Sequence, residues 1–221
     1  MKVGTDSVLL AAWINIRKPD FILDIGTGTG ILSLLMAQRY TEAKITALEI
    51  SPEAIKDAQE NVNNSPWSDR IKITEGDFCQ FESELKFDLI ICNPPYFENS
   101  LHSPSTLRNK ARHSDALPFP VLASGVQKIL SKGGTFAMIL PFENAELMRR
   151  LAFEQKLYTC RQTLIYTKEN TPAKRVLFQF TPELQLCQTD SLTIYTNSGT
   201  YTPEYRALVE EYYQKMKLTR E

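Results

Sequence analysis

Histidine is almost absent: His102 and His113 are the only two in 221 residues. The four cysteines, Cys79, Cys92, Cys160 and Cys187, stand far apart, with no Cys-x-x-Cys pair. These scarcities argue against a zinc site built from His and Cys, and no metal is expected. Three of the cysteines sit among apolar or β-forming neighbours, which suggests reduced packing residues. Excess charge is lacking too. Twenty-five Lys and Arg face 26 Asp and Glu, a formal net charge of −1. That balance excludes nucleic-acid binding through uniform basicity and leaves room only for local basic patches. No apolar run approaches the roughly 18 residues of a membrane span, and no signal-peptide pattern opens the chain. A cytoplasmic protein without membrane contact is expected. Neither a Gly-x-Ser-x-Gly elbow nor a Walker lysine loop occurs.

Apolar residues make up 43% of the chain and charged residues 23%, enough apolar content for a packed core. The length suits one domain over residues 1–221, with a core over 1–181 and a C-terminal extension over 182–221. Oligomeric state is left open, with a monomer the simpler expectation. Thr5 and Asp6 can cap a helix over Ser7 to Ile16 that puts Leu9, Leu10 and Trp13 on one face. Strands are expected at 21–25, 44–50, 70–74 and 87–92, alternating with helices at 31–40 and 52–63, the second opened by Ser51-Pro52. An irregular stretch runs from Phe97 to about Ala116, a length typical of functional loops. Then follow a helix at 119–130, a Gly133-Gly134 break, a strand at 135–140, a helix at 144–155 and β segments at 158–166 and 175–181. A short strand pair within 184–195 and a terminal helix over 203–217 complete the reading. The alternation predicts a mostly parallel α/β sheet with helices on both faces and an antiparallel edge strand.

Ligands of such sheets bind beyond the carboxyl ends of the strands. Asp24-Ile-Gly-Thr-Gly-Thr-Gly30 falls there, with Gly26, Gly28 and Gly30 permitting tight turns and close backbone approach. Glu49 ends the second strand, where a carboxylate can accept from both hydroxyls of a ribose. Asp77 and Phe78 follow the third strand, placed to accept from an adenine amine and to pack on its ring. The dinucleotide fingerprint Gly-x-Gly-x-x-Gly fails in both registers, since its last position holds Ile31 or Ser33. Asp-x-Gly-x-Gly-x-Gly with a downstream acid instead resembles the Rossmann-like class I methyltransferases. That resemblance implies S-adenosylmethionine as cofactor and a mostly parallel seven-stranded sheet.

Asn93-Pro94-Pro95-Tyr96 follows the fourth strand directly. It resembles a motif of methyltransferases that act on planar, poorly nucleophilic nitrogens. The Asn93 side-chain oxygen and the Pro94 carbonyl can both accept from an exocyclic NH2, holding the nitrogen and favouring pyramidal character. Transfer is then an in-line displacement helped by positioning and electrostatics. The prolines stiffen the turn, and Tyr96 can stack on a target base. The motif specifies the reaction class but not the substrate, because a glutamine amide presents a similar NH2.

Two basic clusters are candidates for phosphate contact. Arg108, Lys110, Arg112 and His113 lie in the loop after the motif, in a stretch without acids; Lys168, Lys174 and Arg175 form the second cluster. Lys2-Val-Gly-Thr-Asp6, the glycine loop, Asn93-Pro-Pro-Tyr-Phe97, Ala111-Arg-His113 and Pro172-Ala-Lys-Arg175 together resemble the bacterial tRNA1(Val) adenine-N6 methyltransferases over nearly the whole chain. By that resemblance Thr5, Asp24, Gly26, Gly28, Gly30, Glu49, Asp77, Phe78 and Asn93 would bind the cofactor. Asn93 to Tyr96 would hold the adenine beside the anticodon, and Arg108, Lys110, Arg112, His113, Lys174 and Arg175 would face tRNA. Family members usually carry a short arm before Lys-Val-Gly-Thr-Asp. A protein glutamine-N5 methyltransferase shares Asn-Pro-Pro-Tyr but normally adds a helical N-terminal domain, and a DNA adenine methyltransferase normally needs a larger recognition region. A non-catalytic RNA-binding module is the reading from a different class.

Overall fold

The computed structural model describes residues 4–94 and 117–213. Short apolar runs become the parallel part of one sheet. They are β1 (Phe21–Ile25), β2 (Lys44–Glu49), β3 (Ile71–Glu75), β4 (Phe87–Cys92) and β5 (Leu130–Pro141). Between them lie α1 (Thr5–Trp13) ahead of β1, α2 (Ile31–Arg39), α3 (Pro52–Asn63) and α4 (Phe119–Ile129). Then come α5 (Ala145–Glu154), β6 (Tyr158–Lys168), β7 (Ala173–Thr181), β8 (Gln188–Tyr195) and α6 (Pro203–Val209). Pro52 occupies the first turn of α3, and the Ser51 hydroxyl accepts from the Ala54 N–H at 3.4 Å, the cap that Ser-Pro predicts. Among the described residues no helix is long and apolar enough to cross a membrane.

Among the described residues the sheet has eight strands in the order β3-β2-β1-β4-β5-β7-β6-β8, one more than the seven expected. The mostly parallel sheet with an antiparallel strand is present, but that strand is not at an edge. β7 returns from β6 through a short connection and so runs antiparallel to it, filling the gap between β5 and β6. Because β7 runs backwards, the chain leaves it beside the starting end of β6. It then adds β8 parallel to β6 as the new edge. The 184–195 region therefore holds one strand, not a pair. β5 is also longer than expected. It runs through Gly133-Gly134, where its register against β4 jumps from Phe87↔Leu130 to Leu89↔Thr135, so the glycines mark a bulge inside a strand.

Two cores sandwich the sheet. One joins Leu10, Trp13, Met36, Ile139 and Tyr205, from α1, α2, β5 and α6. The other joins Val126, Met148, Met138 and Phe178, from α4, α5, β5 and β7. α1 is buried at every residue from Ser7 to Trp13 rather than along one face, because strand, helix and C-terminal segments all pack on it. Its cap is Gly4, with no side-chain bond, so Thr5 and Asp6 do not cap the helix. Of the cysteines, all free, only Cys92 is fully buried; Cys79 and Cys187 are exposed and are not packing residues.

Candidate active site

Parallel register brings the carboxyl ends of four strands to one level. Ile25 pairs with Leu48 and with Cys92, and Glu49 pairs with Glu75. A cavity of about 600 Å3 opens above these ends, lined among others by Gly26, Gly28, Glu49, Asp77, Phe78, Asn93 and Pro94. Seven of the residues expected from the sequence thus share one pocket.

The glycine loop turns on three left-handed residues, with φ of 68° at Gly26, 59° at Gly28 and 80° at Gly30. A Cβ built on Gly26 or Gly28 meets no protein atom within 4 Å, so the loop offers bare backbone to the cavity. The Gly26 and Thr27 N–H groups donate to the Leu48 carbonyl at 2.9 and 3.0 Å, and Asn61 Nδ2 of α3 donates to the Thr29 carbonyl at 2.9 Å. Glu49 is held as firmly. Its Oε2 accepts from the Gly28 N–H at 2.8 Å, and its Oε1 from the Ile50 and Ser51 N–H groups at 2.9 Å each. Asp77 caps a short 3-10 turn through the Cys79 N–H at 2.8 Å. Phe78 lies against α4 at Gly125, where a Cβ would come within 2.6 Å of the ring; only glycine permits that approach.

Beyond β4, Asn93 Nδ2 donates to Ser7 Oγ of α1 at 2.9 Å. Cys92 below it is fully buried, and burial pushes its thiol far up, so it stays protonated.

Three expected cofactor residues do not line the cavity. Asp24 lies under the loop, 1% exposed, where its Oδ2 accepts from Thr27 Oγ1 at 2.6 Å and Ser33 Oγ at 2.7 Å; it braces the loop. Gly30 packs toward Ala58 of α3. Thr5 is exposed in the first turn of α1, because Gly4 has taken the cap, and Ser7 two residues on makes the contact with Asn93. Asp6 bonds instead to Arg175, whose Nε donates to Asp6 Oδ2 at 3.1 Å. Arg175 and the exposed Lys174 lie at the same edge of the sheet as the cavity, since Arg175 pairs with Pro141 at the end of β5. Pro95, Tyr96, Arg108, Lys110, Arg112 and His113 lie outside the described residues. Lining residues that the sequence reading missed include Ile50 and Leu117. The position of Ile50, just after the strand-ending acid, was readable in the sequence, but its exposure was not. Among the described residues no group of three or more His, Cys, Asp or Glu could hold a metal.

Burial raises the Asp24 carboxyl from 3.8 to about 6, against the lowering effect of its Thr27 and Ser33 bonds. Ionisation therefore favours the unfolded chain. The stabilising contribution is complete below pH 3.8 and is lost as pH rises through about 6. Asp24→Asn carries no such charge. Its stability relative to wild type is expected to rise by roughly 2–3 kcal/mol between pH 4 and 7, measured by urea unfolding at each pH. A difference independent of pH would show that Asp24 does not ionise in this window.

The class of protein is a methyltransferase: residues 16–199 match the family model described as a methyltransferase domain. A tRNA1(Val) (adenine(37)-N6)-methyltransferase of Phocaeicola vulgatus is 45% identical over 98% of this chain and 92% of its own length. Proteins of that name from Flavobacterium psychrophilum and Vibrio campbellii are 42% and 38% identical, each over 98% of this chain and over 94% and 90% of their own lengths. The chain belongs to this family. Among solved structures, one described as a predicted O-methyltransferase from Agrobacterium tumefaciens superposes with a TM-score of 0.72 at 20% identity, over 93% of this chain and 96% of that one. The glycopeptide N-methyltransferase MtfA in complex with S-adenosyl-L-methionine gives 0.59 at 14% identity, over 80% and 94%. Both share the fold.

Proposed function

We propose that this chain uses S-adenosylmethionine to methylate N6 of an adenine in tRNA, the adenine at position 37 of tRNA1(Val), in the cytoplasm. One observation carries the reading: Asn93 and Pro94 stand on the wall of the same cavity as the bare glycine loop and the Glu49 carboxylate. The cavity fits the cofactor. Gly26 and Gly28 would leave room for its methionine part, Glu49 would accept from the ribose hydroxyls, and Asp77 and Phe78 would hold the adenine, all four elements of the site lining the one cavity. When bound, the cofactor supplies an electrophilic methyl group on a sulfonium sulfur.

The residues of the chain do the rest. The side-chain oxygen of Asn93 and the carbonyl of Pro94 accept the hydrogens of the target amine. This holds the nitrogen in line and turns its lone pair out of conjugation. Tyr96 stacks on the flipped base, a contact worth about 1–3 kcal/mol. The basic residues Arg108, Lys110, Arg112, His113, Lys174 and Arg175 contact the RNA backbone.

The test uses labelled S-adenosylmethionine and an extract of cells lacking this gene. The expected result is label in tRNA, recovered as N6-methyladenosine. Label in protein as N5-methylglutamine would replace this reading with that of a protein methyltransferase, and no transfer to any fraction would leave a binding module.

A further inference from the structure

Asn93 carries one acceptor end and one donor end on its side-chain amide. A target amine brings hydrogens to the contact, so only the oxygen end is useful. Turned by 180°, the amide sets NH2 against NH2. Asn93 Nδ2 donates to Ser7 Oγ at 2.9 Å across 86 residues, and this bond ties the side chain to α1; the hydroxyl can also donate, so it fixes the place and plane of the amide.

Ser7 can serve as a fixed reference because α1 is anchored along its length. Near its start, Asp6 is paired with Arg175 at 3.1 Å. At its end, Trp13 Nε1 donates to Thr163 Oγ1 at 2.7 Å, and Arg161 Nη1 donates to the Trp13 carbonyl at 3.1 Å, with its guanidinium 4.4 Å from the Trp13 ring centre. Arg39 Nη1 donates to the Ala11 and Ala12 carbonyls at 3.0 Å each, satisfying the last turn. Ser7 itself is 8% exposed, so little water competes for its hydroxyl.

We infer that Ser7 is a positioning residue for methyl transfer: its hydroxyl holds the Asn93 side chain in place at the cavity wall. This rests on the reading of Asn93 as acceptor of the target amine. It assigns a role in the reaction to a helix that otherwise belongs to the core.

The experiment compares Ser7→Ala, Ser7→Thr, Asn93→Ala and the double variant Ser7→Ala/Asn93→Ala. The substrate is tRNA from cells lacking the gene. Single-turnover transfer in Ser7→Ala is expected to fall about ten- to a hundredfold, with cofactor Kd by calorimetry within twofold of wild type. Ser7→Thr, which keeps the hydroxyl, should recover most of the rate, and the double variant should be no slower than Asn93→Ala. In the cofactor-free protein the side-chain amide resonances of Asn93, assigned through Asn93→Ala, should move in Ser7→Ala and hold in Ser7→Thr. If Ser7→Ala does not fold, Ser7→Cys, similar in volume and a poor acceptor, takes its place throughout.

Full transfer by Ser7→Ala, losses that multiply in the double variant, or unmoved Asn93 resonances would each overturn the positioning role while leaving the function of Asn93 intact. Full transfer by Asn93→Ala would instead overturn the reading on which the role rests.

Discussion

Asn93→Ala is expected to lower methyl transfer by about 10²–10³-fold, the scale seen when one preorganised hydrogen-bonding group is removed from a transition state. Cofactor affinity should stay within a few-fold of wild type, because the Glu49 carboxylate and the glycine loop, the groups proposed to carry that affinity, do not bond to Asn93 in the contacts described above. Stability should fall by about 1–3 kcal/mol, since the half-buried Asn93 leaves behind the buried Ser7 hydroxyl that it bonds. Asn93→Asp separates the roles within the side chain. It keeps oxygens that accept from the amine, and the Ser7 hydroxyl can turn to donate to it. This variant is expected to retain more transfer than alanine. The measurements are single-turnover rates and calorimetric cofactor Kd for both variants. A Kd that rises as much as the rate falls would assign Asn93 to cofactor binding, and equal rates for the two variants would remove acceptance as its function.

The central sheet was legible because buried parallel strands are written as unbroken apolar runs. Phe87-Asp-Leu-Ile-Ile-Cys92 is β4 at both ends, and Phe21–Ile25 is β1. The edge was less legible. β8 opens with four exposed residues, Gln188 to Ser191, and buries only Leu192, so neither alternation nor an apolar run announces it as a single strand. The glycines at 133 and 134 read as a stop because a bulge inside a strand and a turn between elements use the same residue.

The site divides along a similar line. The place of Gly26, Gly28 and Glu49 on the cavity wall was legible because strand ends, turns and a carboxylate at fixed spacing are local facts. Asp24 was misassigned for a physical reason: a carboxylate in a glycine loop looks like a ligand contact. Whether it faces the ligand or the hydroxyls of Thr27 and Ser33 depends on the direction in which the strand carries it. Ser7 was invisible as a partner of Asn93, because a bond across 86 residues has no local spacing; it follows only from where α1 docks.

Glu49→Gln is expected to weaken cofactor binding by about two orders of magnitude or more, although it changes only one atom. Both oxygens of Glu49 already accept from backbone N–H groups, one from Gly28 and the other from Ile50 and Ser51. An amide has a single acceptor, so its NH2 must meet an N–H on one side or the other. The damage reaches the glycine loop, because the bond to Gly28 ties the strand-ending acid to the backbone that faces the cavity. Two ribose hydroxyls would also lose a charged acceptor. Hydrogen bonds to a charged group are worth about 1.5–3 kcal/mol each, and every 1.4 kcal/mol is a factor of ten in Kd. Transfer at saturating cofactor should fall far less, since Glu49 does not touch the amine, so the variant raises KM for the cofactor more than it lowers kcat. Glu49→Asp shortens the side chain but preserves two acceptors, and it should fall between wild type and glutamine. Calorimetry on the three proteins measures the order directly. If Glu49→Gln bound the cofactor as tightly as wild type, the ribose would have to lie elsewhere in the cavity, and Asp77 would become the acid to test.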